Sequence, residues 1–218
     1  MGPKTLNPTP STVINIKPNQ PAESTPQAPA PASAGQETAE LICLHVGCGP
    51  PGQEHLHEAF RGPSWKELRL DIDPNAQPEI VGSITDLSML QTASVDAIWS
   101  SHNLEHLESW EVPQALAEFH RVLRPGGLFL STMPDLQAVC KLVAEDRLED
   151  VAYQSQAGPI CPIDILFGHR PQIQAGRTAM AHRTGFTAKT LKQHMDNAGF
   201  TNGQFWTQDL DLWALMSR

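Results

Sequence analysis

Residues 94–107 read SVDAIWSSHNLEHL. The first seven form a short apolar run with β-branched members, the pattern of a buried strand. At its end stand Ser100, Ser101 and His102, followed by Glu105 and His106. Spelled H-x-x-E-H, residues 102–106 match a zinc-peptidase signature. That chemistry needs both histidines on one face of an established helix, and a third ligand from elsewhere. His102 follows the strand almost at once, so the spacing predicts a strand-to-helix loop instead. A chain with nine histidines also produces the spelling easily by chance. The stretch is therefore read as the carboxyl end of a strand, and no metal is expected. A zinc-dependent hydrolase acting through His102, Glu105 and His106 is the weaker alternative.

The same texture runs outward from it. Upstream, LICLHV (41–46), KELRLDI (66–72) and PEIVGS (78–83) read as strands. Between the first two, EHLHEAF (54–60) offers only a short helix, blocked by Gly62-Pro63, so the first covering helix is truncated. Downstream, PQALAEFHRVL (113–123) carries Leu116, Phe119, Val122 and Leu123 at helical spacing, with Pro113 in its first turn. Arg124-Pro125-Gly126-Gly127 ends that helix. LFLSTM (128–133) is a further strand, and Asp135 can cap LQAVCKLVAED (136–146). Residues 150–186 read as loop-rich, a connection long enough to serve as a cap over a binding site. Thr187 can cap AKTLKQHMDNAG, and FTNGQFWTQ and DLWALMSR close the chain as two strands with a tight link. Alternating strands and helices predict an α/β fold: a Rossmann-like, doubly wound, mostly parallel sheet with an antiparallel C-terminal edge hairpin.

Composition sets the limits. The chain has 218 residues, 40% hydrophobic and 18% charged, which suits one domain with a real core. Residues 1–38, rich in Pro, Ala, Ser, Thr and Gln, read as a disordered tail, and 39–218 as the domain. The net charge of −9 disfavours nucleic acid as a partner. The N-terminus has no apolar signal-peptide region, and no stretch is long enough to span a membrane. The four cysteines match no zinc or disulfide framework, which points to a reducing, cytoplasmic setting. The oligomeric state has no signature in the sequence.

In such sheets ligands bind beyond the carboxyl ends of the strands. After the first strand comes Gly47-Cys48-Gly49, where glycine lets a backbone approach a ligand closely. After the second comes Asp71, about 20 residues on, where nucleotide-type sites carry the acid that grips a ribose diol. After the third come Asp86 and Leu87, and after the fourth Ser101 and His102. Each taken alone has an ordinary structural reading. Four strand ends in a row, each with Gly or a short polar group, form a stronger signal.

LHVGCG, LRLDIDP, ITDL, SVDAIWSSHNLEHL and EFHRVLRPGGLFLSTMPDL stand in an order and spacing that resemble the class I S-adenosylmethionine-dependent methyltransferases, of the small-molecule type. The resemblance covers residues 41–218, and the C-terminal segment from AGPICPIDILFGHRP to HMDNAGF is similar to a compact bacterial subgroup. It implies S-adenosylmethionine as cofactor. His45, Gly47, Cys48 and Gly49 would line its methionine part and ribose, Asp71 with Ile72 beside it the ribose hydroxyls, Asp86 and Leu87 the adenine, and Ser101 the sulfonium side. His102 is then the candidate general base for a small-molecule acceptor with an oxygen or nitrogen nucleophile, with Glu105 and His106 as orienters or alternatives. His169, Arg170, His182 and Arg183 would place cations over an anionic or sugar-like acceptor. The chain departs from the family in two places: His45 stands where an acid is usual, and Pro51 where a further glycine is usual. Those departures favour the rival reading, a non-catalytic binding or partner module on the same fold.

Overall fold

The computed structural model describes residues 40–51 and 55–218. The tail expected over residues 1–38 lies outside the described residues. Five strands run parallel: β1 (Leu41–Val46), β2 (Trp65–Asp71), β3 (Ile80–Val81), β4 (Val95–Ser101) and β5 (Leu123–Pro134). A short hairpin follows, β6 (Tyr153–Ser155) and β7 (Gly158–Ile160). The chain ends in β8 (Thr201–Gln208) and β9 (Asp211–Ser217). The large sheet has seven strands in the order β3-β2-β1-β4-β5-β9-β8. β9 runs antiparallel to β5, and β8 antiparallel to β9. The expected α/β architecture with its antiparallel edge hairpin is the one observed.

Helices α1 (Val112–Val122), α2 (Leu136–Ala144), α3 (Pro162–Phe167), α4 (Arg170–Gln174) and α5 (Ala188–Asn197) complete the fold. Successive strand residues point to opposite faces of a sheet, and this alternation builds two cores. Leu44, Val46, Ile98 and Phe129 join Leu116 and Phe119 of α1 and Leu191 and Met195 of α5 in the larger one. Cys43, Ala97, Trp99 and Leu130 belong to the smaller one, with Phe60. There Trp206 stacks on Trp213 and Trp213 on Trp99, with ring centroids 5.7 and 5.9 Å apart. Between β1 and β2 the described residues make a single 3-10 turn, Glu58–Phe60, in place of a covering helix. The truncation expected from Gly62-Pro63 is thus present. Trp110 is exposed.

The segment 150–186 is more structured than its sequence suggests. It holds the β6–β7 hairpin, α3, α4 and a 3-10 turn at Thr178–Met180. Elements of three to six residues are too short for hydrophobic periodicity to register. The segment returns to the sheet at two points. The backbone N–H groups of Arg183 and Thr184 donate to the Glu105 carbonyl at 2.8 and 3.2 Å, and Asp135 bridges to Phe186.

Helix starts follow local rules. The Asp135 carboxylate accepts from the Gln137 N–H at 2.9 Å, as expected of its cap. Thr187 and Thr190 form a capping box at the start of α5. Asp135→Ala should destabilise the fold by about 1 kcal/mol. For a chain of this length, that lowers the melting temperature by about 2–4 °C, measurable by calorimetry. An unchanged melting temperature would remove the cap from the account.

Candidate functional site

The carboxyl ends of β1, β2 and β4 meet at one edge of the sheet, because these strands are direct parallel neighbours. Gly47 follows β1 with φ of +61° and Gly49 has φ of +68°, a region that glycine enters without steric cost. A Cβ on Gly47 would also collide with the Asn103 side chain. The Asn103 amide donates to the carbonyls of Val46 and Ser101, each at 2.9 Å, and so ties the ends of β1 and β4 together.

Asp71 holds the glycine turn from the neighbouring strand. Its Oδ2 accepts the Gly49 N–H at 2.9 Å and its Oδ1 the Asp73 N–H at 2.9 Å. Arg69 donates from the same strand to the Gly49 carbonyl at 2.6 Å and to the Ala76 carbonyl at 3.0 Å. Ile72, beside Asp71, leaves 64% of its surface open, unusual for an isoleucine at a strand end. Cys48 is buried, and burial pushes its thiol up to about 11, so it is a neutral thiol at physiological pH.

His45 is buried within β1, and its Nδ1 lies 2.6 Å from Glu67 Oε1 of β2. An acid, Glu67, thus stands on the adjacent strand and pairs with the histidine. Burial lowers the His45 pKa, with the Glu67 carboxylate opposing it.

After β4 the chain makes a 3-10 turn, Leu104–His106. His102 sits before it with φ of +51°, in a loop and not in a helix, as expected. Its Nδ1 lies 3.2 Å from Glu105 Oε1, and its Nε2 3.6 Å from Asp211 Oδ1 at the start of β9. Burial by itself lowers the His102 pKa. The Asp211 and Glu105 carboxylates outweigh burial and push it up to about 10. The side chain keeps 40% of its surface open, so solvent tempers that shift without reversing its sign. A general base must be neutral at working pH, and the flanking carboxylates favour the charged ring. The role of base expected for His102 is corrected accordingly: with both nitrogens facing carboxylates, the ring is an N–H donor.

Glu105 is 1% exposed. His106 Nδ1 lies 3.2 Å from the Ala181 carbonyl, and its ring meets the His182 ring at 4.9 Å. Glu105 faces His102 and, with His106, stands near His182 of the returning segment.

Residues 44–131 match the family model described as "Methyltransferase domain". Over that stretch, about two fifths of the chain, the sequence is similar to a methyltransferase domain. The cofactor that such a domain implies is S-adenosylmethionine. Solved structures share the fold at low identity. An S-adenosylmethionine-dependent methyltransferase from Archaeoglobus fulgidus is 13% identical, with a TM-score of 0.56, over 83% of this chain and 87% of that one. One from Methanosarcina mazei is 16% identical, with a TM-score of 0.52, over 82% and 93%. A possible exported protein from Bordetella parapertussis is 17% identical, with a TM-score of 0.53. The match covers 82% of this chain and spans only 62% of that chain's length. No curated protein matches the sequence.

The residues at the ends of β1 and β2 would suit that cofactor at the glycine turn. Gly47 and Gly49 hold positive φ, Asp71 presents a carboxylate, and Ile72 an uncovered apolar surface. Other expected contacts are corrected. Leu87 is fully buried in the main core, with its N–H donated to Glu118 Oε2 at 2.8 Å, so its side chain cannot meet an adenine. Asp86 lines a shallow crevice with Gln114, Glu118 and Arg121 of α1. That crevice includes none of Gly47, Gly49, Asp71 or His102.

The four cap residues do not gather as free cations. Arg170 Nε donates to Asp164 Oδ1 at 2.7 Å, and Arg183 Nη1 faces Glu108 Oε1 at 3.4 Å. His182 Nδ1 meets the Ile165 carbonyl at 2.8 Å, and burial lowers its pKa. His169 caps α4 by position, with no side-chain hydrogen bond to that helix.

Asp164 shows what the Arg170 pair does. Burial works to raise its pKa, but the guanidinium and then the backbone N–H of Cys161 hold it below the ordinary carboxylate range. Such a carboxylate stabilises the fold above its unfolded pKa, about 4, and loses that contribution as pH falls through the folded value. Asp164→Asn should therefore flatten the fall of stability below about pH 4. Parallel acid limbs for the two proteins would contradict this.

Sequence reasoning missed Glu67, Arg69, Asn103 and Asp211. Glu67, Arg69 and Asp211 act across strand pairs, where only the register brings them into place. Asn103 had a local signal, standing next to His102 behind the strand.

Proposed function

We propose that this protein transfers a methyl group from S-adenosylmethionine to a small-molecule acceptor bound beneath the 150–186 cap. The observation that carries the reading is the continuous edge formed by Gly47, Gly49, Asp71, Ser101 and His102 at adjacent strand ends. S-adenosylmethionine supplies an electrophilic methyl group when bound. In this reading the Gly47–Gly49 turn takes the methionine part and ribose against bare backbone, with buried Cys48 between them. Asp71 accepts from the ribose hydroxyls, and Ile72 covers an apolar face of the ligand.

The remaining work is positioning, because methyl transfer demands alignment of nucleophile and methyl group in a dry pocket. His102, its two N–H groups held by Glu105 and Asp211, sets a positive charge beside an oxygen of the acceptor and orients it. Asp211, not His102, is then the group with a free lone pair beside the acceptor. A cation at this position suits an anionic or hydroxyl-bearing acceptor, the class that the arginines of the cap, paired as they are, do not serve. All four cysteines are free, which suits a cytoplasmic enzyme. Among the described residues no helix is long and apolar enough to cross a membrane.

Isothermal calorimetry with S-adenosylhomocysteine tests the first half of the reading, and a labelled-methyl screen of carboxylates, phenols and sugars tests the second. Saturable 1:1 binding is expected. No binding at millimolar ligand overturns the proposal. Binding without transfer to any acceptor would favour the non-catalytic module instead.

A further inference from the structure

Two residues of the H-x-x-E-H stretch meet a third from the cap in a combination that its spelling does not suggest. One potential ligand atom from each of Glu105, His106 and His182 lies within 4.8 Å of those of the other two. A zinc ion about 2.0–2.1 Å from each ligand in a tetrahedral site holds ligand atoms about 3.3 Å apart. Metal binding would draw the three groups together to that spacing.

The buried carboxylate is the second observation. Glu105 is 1% exposed, and neither of its side-chain oxygens accepts a hydrogen bond. Among the described residues its one ion pair is with His102, at Oε1, and His106 and His182 stand near it. Carboxylates buried in this way are paired, hydrogen-bonded or bound to a metal, and Oε2 has none of these.

The histidines are already set as ligands. A carbonyl oxygen only accepts, so the ring nitrogens that face one must carry the proton. His106 Nδ1 donates to the Ala181 carbonyl at 3.2 Å, and His182 Nδ1 to the Ile165 carbonyl at 2.8 Å. Each ring is then left with a lone pair on Nε2. Metal-binding histidines almost always donate their other N–H to a carbonyl or carboxylate, which fixes tautomer and orientation. The backbone completes the arrangement, since the N–H groups of Arg183 and Thr184 bind the Glu105 carbonyl. His182 is thereby fixed against the turn that carries Glu105 and His106.

We infer that Glu105, His106 and His182 form a binding site for one divalent cation of the zinc class. Two imidazole nitrogens and one carboxylate oxygen suit zinc and its first-row neighbours better than magnesium or calcium, which prefer all-oxygen shells. Three protein ligands leave a fourth position open. This site is not the peptidase arrangement of the same letters. There His102 and His106 would be the ligands and Glu105 the base; here Glu105 is a ligand and His102 stands outside, between Glu105 and Asp211. The inference does not depend on methyl transfer, and metal binding is measured without cofactor or acceptor.

The experiment titrates the untagged, metal-stripped full chain with Co²⁺ and with Zn²⁺. One equivalent of Co²⁺ should produce visible absorption bands of a low-coordinate nitrogen–oxygen site, displaced by Zn²⁺. His182→Ala and His106→Ala should each weaken binding at least tenfold. Where a variant fails to fold, by circular dichroism, the wild-type protein decides: Zn²⁺ should protect His106 and His182 from diethyl pyrocarbonate, read by mass spectrometry. No saturable binding at tens of micromolar metal overturns the inference. So does binding that both variants retain, or equal modification of the two histidines with and without Zn²⁺.

Discussion

Asp71→Ala should weaken the binding of S-adenosylhomocysteine by about ten- to a hundredfold. In the proposed site its carboxylate does two things at once. It accepts the N–H groups of Gly49 and Asp73, which sets the glycine turn, and it offers its remaining lone pairs to the ribose hydroxyls. Hydrogen bonds to a charged group contribute about 1.5–3 kcal/mol, and each 1.4 kcal/mol is a factor of ten in affinity. Asp71→Asn keeps one accepting oxygen and should fall between the two. Calorimetry measures the affinity, and a thermal melt of the same samples separates a loosened turn from a lost ligand contact. Wild-type affinity in Asp71→Ala would remove Asp71 from the site.

Phe119→Ala should cost about 3–5 kcal/mol of folding stability, the range for emptying a fully packed aromatic position. Phe119 is completely buried in α1, and its ring meets that of Phe129 edge-on at 5.1 Å. Phe129 meets Phe200 in turn at 5.4 Å, so one truncation opens a row of aromatics between the sheet and the helices that cover it. Urea unfolding gives the value. A loss under 1 kcal/mol would mean that the core collapses into the space, and that α1 is held by other contacts. Because Phe119 stands on a helix that covers the sheet and not at its strand ends, residual folded protein should retain cofactor affinity.

The parallel strands were legible because each carries its own apolar run, ended by Gly47, Asp71 or Ser101. α1, α2 and α5 were legible through periodicity and their stop and cap residues: Arg124-Pro125-Gly126-Gly127, Asp135 and Thr187. The short elements of 150–186 were not, since a three-residue strand such as Tyr153–Ser155 exists through its partner strand and not through its own pattern. Leu87 shows the opposite error. Its place after the third strand suggested a ligand contact, while its side chain completes the main core.

His102 divides what each level decides. The sequence by itself determined the Rossmann-like sheet, the glycine turn with Asp71 one strand away, and the loop position of His102 at the end of β4. Those features depend on local conformational preference and on which residues must leave water. Tertiary structure alone decided what His102 faces. Asp211 reaches it because β9 inserts antiparallel beside β5, and Glu105 meets His182 because the cap returns to bind the turn after β4. Such pairings join residues far apart in the chain. They are set by how the core faces pack, and a charge or lone pair carries no sequence signal of the partner that packing brings to it.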